Sequence, residues 1–546
     1  MGAVIEELSN RKLFYILALF GIIQTSFFLF GALFSPEPTS FMNYLMTTCS
    51  DSNPDVPSWH QIRPNGCKKI DQLKGYTPLT ENVRDIVFVA QMPHERDNIK
   101  IMYSPWFQFM LGMLDFTIAY NENHLLDPEI EIQLEVRMGY KSIEDTNGQW
   151  IEYHNLNITR TLKCSIDEHK KVNGEHYNCE PIDLFELSAT IHPFYLLNIR
   201  FPRSDKACNL NALAPNCKLP LFEELTATEI HQNGGFTQIW LWLKCIVFPF
   251  MGYANYWYTQ RINYLNRSKY LVEKAIQALG ISMLILDIPI EILTFITKWP
   301  ILLFIGDFRQ GLFYVVLFVF WLIFAGEHLF ENGAGNTLRN YWINLTLIGT
   351  ASFGFLIYEM AERGLQLWNP FHSIWATKNG SWWAHVLLTI SSIATILYLI
   401  FLTYKVVLVW ATVKRKREAQ LYSSNPARKL KVESIIFRFK FLMVFTIVCA
   451  FVTIATYFLK QIGEIILHED HTDGETAYET SWTTGFLTFA FGMWNLYVLL
   501  LLAMYAPSHK YYGEASILMS DITHSMDNFN GGQNGALITL LKDSNE

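Results

Sequence analysis

One hydrophobic run, Leu13–Phe34, is followed by about 200 largely polar residues that carry six of the eight cysteines, and only then does a second apolar region fill most of Phe236–Tyr505. A bilayer core takes about 20 apolar residues per helix, so the second region is long enough for a bundle of spans. The layout reads as one anchor, one extramembrane domain and one helical bundle. The whole chain of 546 residues is 51% hydrophobic, 15% aromatic and only 17% charged, against a globular norm of about 25% charged. A net charge of −8 leaves no footprint for nucleic acid.

The first run is too long for a signal-peptide core, which is about 7–15 residues, and no small-residue cleavage site ends it. It reads as an uncleaved signal anchor. Seven further spans are expected at 236–257, 272–297, 302–329, 341–362, 382–411, 434–466 and 480–505. Positive loops stay cytoplasmic. Arg11 and Lys12, Arg261 to Lys274, and Lys414 to Lys431 carry the positive charge, whereas His468–Asp473 is acidic. The expected organisation is therefore a cytoplasmic N-terminus and first span (1–35), a luminal β-rich domain (36–235), a seven-helix bundle (236–505) and a cytoplasmic tail (506–546).

Cys49, Cys67, Cys164, Cys179, Cys208 and Cys217 all fall in the expected luminal domain. An even count in an oxidising compartment points to disulfides, although six cysteines allow 15 pairings. Pairing of sequence neighbours is favoured: Cys49 with Cys67, Cys164 with Cys179, Cys208 with Cys217. Asn157-Ile158-Thr159 is an expected glycosylation site. Asn266 falls in a cytoplasmic loop, Asn344 inside a span, and Asn379 too close to the membrane for ready use.

In Ile130, Ile132, Leu134, Val136 and Met138 apolar residues alternate with Glu131, Gln133, Glu135 and Arg137, the period of a strand with one wet face. Ile86, Phe88 and Ala90 form a shorter copy, and Tyr195–Phe201 and Leu225–His231 are further strands. An antiparallel sandwich or barrel follows. Trp106–Tyr120, apolar but for Asp115, reads either as a buried strand pair or as a hairpin exposed to the membrane. Within the spans, Asp287 lies deepest among the ionisable residues and is the best candidate for a buried polar contact. Motifs for zinc proteases, serine hydrolases, phosphate-binding loops and dinucleotide binding are absent. His468 and His471 could ligate a metal, but a solvated acidic loop is the simpler reading, and no metal or cofactor is expected.

Several stretches carry a resemblance. They include Ser104-Pro105-Trp106-Phe107-Gln108-Phe109-Met110, His231-Gln232-Asn233-Gly234-Gly235-Phe236, Gly306-Asp307-Phe308-Arg309-Gln310-Gly311, Glu362-Arg363-Gly364, Asn369-Pro370-Phe371, Phe437-Arg438-Phe439-Lys440-Phe441 and Gly492-Met493-Trp494-Asn495-Leu496-Tyr497. In order and content the chain resembles the Wntless family of cargo receptors. The resemblance implies a membrane protein with eight transmembrane helices and a luminal antiparallel β-sandwich. It further implies a receptor that carries lipid-modified Wnt proteins through Golgi, cell surface and endosomes, with the palmitoleoyl chain held in the bundle, and with retromer and clathrin-adaptor machinery recycling it. One departure is Val432-Glu433-Ser434-Ile435, where the family often has a tyrosine-based endocytosis signal. A seven-helix receptor coupled to a G protein, or a membrane acyltransferase using His328 or His385, are the readings from other classes. If the acyl chain enters from the luminal side, its expected walls are Phe308, Leu312, Phe313 and Val315 of the fourth span, Phe353, Phe355 and Tyr358 of the fifth, and Phe486, Phe489 and Trp494 of the eighth. Asp307 and Arg309 are the expected polar groups at the mouth.

Protease protection of sealed microsomes tests the topology. The loop at Lys414–Lys431 and both termini should be cleaved from the outside, residues 35–235 should be shielded, and Asn157 should carry a glycan. A shielded basic loop with a digested 35–235 segment would invert the arrangement.

Overall fold

The computed structural model describes residues 4, 8–50, 68–69, 86–94, 101–122, 125–142, 150–202, 208, 216–219, 222–265, 267–297, 300–327, 338–421, 444–449 and 481–508. Helix α1 (Asn10–Phe34) leads into eleven strands: β1 (Thr39–Leu45), β2 (Thr47–Ser50), β3 (Lys68–Lys69), β4 (Ile86–Met92), β5 (Met110–Thr117), β6 (Glu129–Lys141), β7 (Ile151–Ser165), β8 (Asn178–Cys179), β9 (Ile182–Leu187), β10 (Phe194–Arg200) and β11 (Glu224–Gln232). The helical part comprises α2 (Gly234–Tyr264), α3 (Leu271–Asp287), α4 (Glu291–Ile296), α5 (Ile301–Glu327), α6 (Trp342–Gln366), α7 (Lys378–Leu421) and α8 (Ser481–Met504).

The strands form a four-stranded sheet, β1-β11-β5-β9, and a seven-stranded sheet, β3-β2-β4-β10-β6-β7-β8, with every pairing antiparallel. Their facing sides share one apolar core. The period-two pattern of β6 explains why: Ile130, Ile132, Leu134, Val136 and Met138 are all buried, while Glu129, Glu131 and Gln133 are exposed. β4 departs from its expected one-wet-face pattern. Val87 and Val89 are buried as well, because Cys49 and Leu196 cover its second face. Trp106–Tyr120 is neither a strand pair nor a hairpin; it contains the single strand β5, held between β11 and β9, and Asp115 is its one exposed strand position. Disulfides join Cys164 to Cys179, opposite each other on β7 and β8, and Cys208 to Cys217. Cys49 is also disulfide-bonded, and Cys67 lies outside the described residues. Asn157 is exposed on β7, opposite Glu135, whereas Asn344 is buried in α6.

Among the described residues six segments are long and apolar enough to cross a membrane: Arg11–Phe34, Leu271–Leu293, Phe304–Gly326, Trp342–Gln366, Asn379–Thr412 and Thr483–Met504. The expected span at 236–257 lies within α2, which is 31 residues long but is not one of the six; Thr237, Gln238, Lys244, Asn255 and Gln260 make it polar for a span. The expected span at 434–466 lies outside the described residues except for helical 444–449. The basic stretch beyond Leu421, the acidic loop at 468–473, His328, Asn266 and the tail beyond Ser508 lie outside them too. The expected span at 272–297 is not continuous. Its helix stops at Asp287, because Pro289 has no amide hydrogen to donate and its ring blocks the preceding turn, and a separate short helix restarts at Glu291.

The first helix is more than an anchor. α1 packs along α8, where Thr488 donates to the Phe27 carbonyl (2.9 Å), Thr484 to the Pro36 carbonyl (3.0 Å) and Gln24 to the Phe489 carbonyl (2.7 Å). Gly485 permits the approach: a Cβ there would lie 3.0 Å from Ala32 Cβ.

Two joints tie the sheets to the bundle. At the first, β11 runs into α2, whose N-cap Asn233 accepts from the Gly235 amide (3.0 Å), while Gln232 donates to Thr237 (2.6 Å). At the second, the loop after α6 sends Phe371, only 2% exposed, into the sandwich core against Phe185. Pro370 accepts from the Glu186 amide (2.8 Å), and the Arg160 guanidinium donates to the Phe371, Asp183 and Leu184 carbonyls (2.7, 2.8 and 3.3 Å). Burial pushes the Arg160 pKa down, opposed by the charges of Asp183 and Glu362. Phe371→Ala should cost about 3–5 kcal/mol, the usual range for a buried Phe→Ala change. Chemical denaturation of the full-length protein, followed by near-ultraviolet circular dichroism, should show the loss. An unchanged midpoint would mean that Phe371 does not carry the joint.

Candidate functional site

The break at Pro289 leaves carbonyls of the last turn of α3 without intrahelical partners. Arg309, two turns into α5, fills the gap: its Nη1 donates to the Ile285 carbonyl (3.0 Å) and the Ile288 carbonyl (2.7 Å). Around it, Lys244 of α2 is ion-paired with Glu291 at the start of α4. Asn495 of α8 donates to Asp287 (3.3 Å), which is fully buried. Two acids and two bases make the group neutral overall. That balance matters, because an unpaired charge in a low-dielectric interior is costly and breaking such a pair is more so.

Against this polar group lies a cavity of about 620 Å³, within the roughly 300–1,000 Å³ typical of ligand pockets. Lys244, Glu291 and Arg309 stand in its wall. Trp240 of α2, Met283 and Leu286 of α3, Phe313 and Tyr314 of α5, and Leu487, Ala490, Phe491 and Trp494 of α8 supply apolar surface. Phe313 meets Trp494 edge to face, their centroids 5.7 Å apart. The sandwich closes another side with Phe107, Gln108 and the Ser188–Ile191 segment. Trp106 packs against Phe295 of α4, their rings tilted with centroids 4.2 Å apart, and Thr190 donates to the Phe107 carbonyl, so this side is fixed to both units.

Of the twelve residues expected at the pocket, the structure brings four together: Asp307, Arg309, Phe313 and Trp494. The others do not line this cavity. Phe486 and Phe489 pack on Phe28 of α1, at 5.4 and 6.2 Å between centroids. The face of α8 turned to the cavity is Leu487, Ala490 and Trp494, at i, i+3 and i+7. Residues one position earlier point about 100° away. The same rotation removes Phe308, Leu312 and Val315 on α5, where the cavity face is Gly306, Gln310, Phe313 and Tyr314. Phe308 is exposed, and Leu312 and Val315 are half-buried. On α6, Phe353 and Phe355 are exposed, and Tyr358 lies instead beside Trp375. Arg309 is also not simply a mouth residue, since its guanidinium is committed to the broken helix. Asp307 is ion-paired with Arg363 (3.2 Å), which also reaches Glu359 (3.2 Å) and Glu186 (4.0 Å).

Sequence reasoning missed Trp240, Lys244, Phe491 and the whole contribution of the sandwich. Pro289 between two acids was the one local signal, since a proline inside an apolar run frees carbonyls that something must satisfy. Arg309→Met should therefore lower stability by about 1–3 kcal/mol through two unsatisfied buried carbonyls, and Arg309→Lys should recover part of it. Thermal melting in detergent measures both, and equal melting for all three proteins would show that the guanidinium does not hold the break.

Comparison with known proteins matches residues 47–232 to the Wntless GOLD domain and residues 233–509 to the Wntless-like transmembrane domain. The boundary falls between Gln232, the last residue of β11, and Asn233, the cap of α2. A protein wntless homolog of Caenorhabditis elegans is 49% identical over 520 residues, covering 95% of this chain and 94% of its own. The homologs of Homo sapiens and Mus musculus are each 36% identical, over 94% of this chain and 92% of theirs.

Proposed function

The chain belongs to the Wntless family of multi-pass membrane proteins, and from that premise we propose that it is a cargo receptor for lipid-modified Wnt proteins, sheltering the palmitoleoyl chain in the cavity between sandwich and bundle. The observation that carries this reading is the cavity itself: apolar walls from four helices, charged groups along one side, and a side built by the folded domain. An acyl chain needs such walls, because each methylene taken from water contributes about 0.8 kcal/mol. A protein cargo bearing the chain needs a docking domain beside the entrance, and the Phe107–Gln108 and Ser188–Ile191 segments are there.

In this reading the chain has eight spans, its sandwich faces the lumen and both termini are cytoplasmic. It collects cargo in the secretory pathway, passes from Golgi to cell surface, and returns through endosomes by way of retromer and a clathrin adaptor. The adaptor would read a signal other than the Val432-Glu433-Ser434-Ile435 position. The receptor carries its cargo without chemistry on it. The walls assigned to the acyl chain are Trp240, Phe313, Phe491 and Trp494, revised from the wider sequence-based set.

Co-purification tests the proposal. The full-length receptor should recover a Wnt protein with its acylated serine, and recovery should fall by about tenfold or more when that serine is alanine, since many buried methylenes are lost. Phe313→Asp should abolish recovery while surface delivery of the receptor stays measurable; Phe355→Ala, on an exposed face, should leave it intact. Equal recovery of both cargo forms would remove lipid capture, and normal recovery by Phe313→Asp would place the chain elsewhere.

A further inference from the structure

Arg363 of α6, paired with Asp307 at the first cavity, also stands in the wall of a second cavity of about 250 Å³ between the sandwich and α6. Four carboxylates line it, Asp183, Glu186, Glu359 and Glu362, against two guanidinium groups, Arg160 and Arg363, so acidic groups outnumber basic ones on its walls. Both guanidinium groups are already engaged. Arg160 donates to backbone carbonyls at the Phe371 joint, and Arg363 is held by Asp307 and Glu359.

An independent feature gives the missing partner its chemistry. Gln366 is only 6% exposed and lines the cavity. Its Nε2 donates to Glu362 (3.2 Å) and to the His372 carbonyl (3.3 Å), which fixes the amide, and its Oε1 is buried without a partner. Nε2 of His372, on the same wall, is likewise buried and unpartnered. Two aromatic rings, Tyr358 and Trp375, meet edge to face at 6.2 Å, and both line the same cavity. Carboxylates, a buried acceptor and aromatic faces together suit a cation that can stack on a ring and donate hydrogen bonds. No group of three or more His, Cys, Asp or Glu side chains among the described residues is placed to hold a metal ion. A quaternary ammonium would leave the Gln366 acceptor unmet.

We propose that this second cavity binds a primary ammonium or guanidinium group, the end of a lysine or arginine side chain presented by a docked protein loop or free in solution. It makes the sandwich–bundle joint a recognition site as well as a fastening. The site does not depend on where the acyl chain lies.

The test uses the full-length protein in nanodiscs and saturation-transfer NMR. The probe is ethylguanidinium, and tetramethylammonium is the control cation without N–H groups. Ethylguanidinium should bind at least about fivefold more tightly than the control, and Glu359→Gln should weaken it by about fivefold or more. The melting temperature of Glu359→Gln should stay near that of the parent, because Glu359 is half-exposed and its i, i+4 pair with Arg363 contributes little to folding. Repeating the titration with acylated Wnt bound identifies the source: loss of the ethylguanidinium signal means that the cargo loop supplies the cation, and its persistence means a free cation. Absence of ethylguanidinium binding to the parent protein, equal binding of both cations, or an unaffected Glu359→Gln variant overturns the proposal. None of these overturning outcomes involves cargo, so they leave the acyl-chain reading to its own experiment.

Discussion

The bundle depends on how the backbone is satisfied where α3 breaks at Pro289. In a medium without water, an unmet carbonyl costs several kcal/mol, and a break is tolerated only where another group takes its place. Arg309 takes it, donating to Ile285 and Ile288. Because a guanidinium cannot shed its charge in a protein, placing it there obliges the surroundings to carry acids. Glu291 and Asp287 answer that demand, Lys244 balances the pair, and Asn495 ties Asp287 to α8. One proline thus fixes the relative positions of α2, α3, α5 and α8, the four helices that give the cavity its apolar walls.

The sandwich is held to this frame by fasteners of a different kind. Phe371 is a residue of the helical part that counts as core of the sheets, and Arg160 is a residue of the sheets that serves backbone carbonyls of the helical loop. With β11 continuing into α2, the two units are joined at separate points, so the loop segments at Phe107 and Ser188–Ile191 are set against the cavity with little freedom. Arg363 couples the two cavities through its ion pairs with Asp307, Glu359 and Glu186. Its worth is modest where these groups are half-exposed, so it tunes the joint more than it holds it.

How far the chain could be read in advance varied with the range of the interaction. β6 was legible residue by residue, because alternation is local and one face is wet. β4 was misread because its second face is covered by Cys49 and Leu196, which come from other parts of the chain. The pocket shows the same limit. Phe486 and Phe489 were chosen for being aromatic at the right depth, yet depth says nothing about rotation, and α1 packs on that face instead. Phe313 and Trp494 met both conditions. Lys244 and Trp240 were invisible as site residues because their partners, Glu291 and Phe491, lie far away in sequence.

What the sequence determined alone were properties carried by short stretches: apolar runs long enough to span a bilayer, strand periods, and family membership through motifs in order. Composition and spacing suffice for these because each follows from contacts within one segment or with solvent. Only the tertiary structure decided which face of each helix meets the cavity, that α1 docks on α8, that Phe371 belongs to the sandwich core, and that Gln366 keeps a buried acceptor open. These depend on the relative rotation and approach of elements distant in the chain, set by packing and by the need to pair every buried charge, and no single segment contains that information.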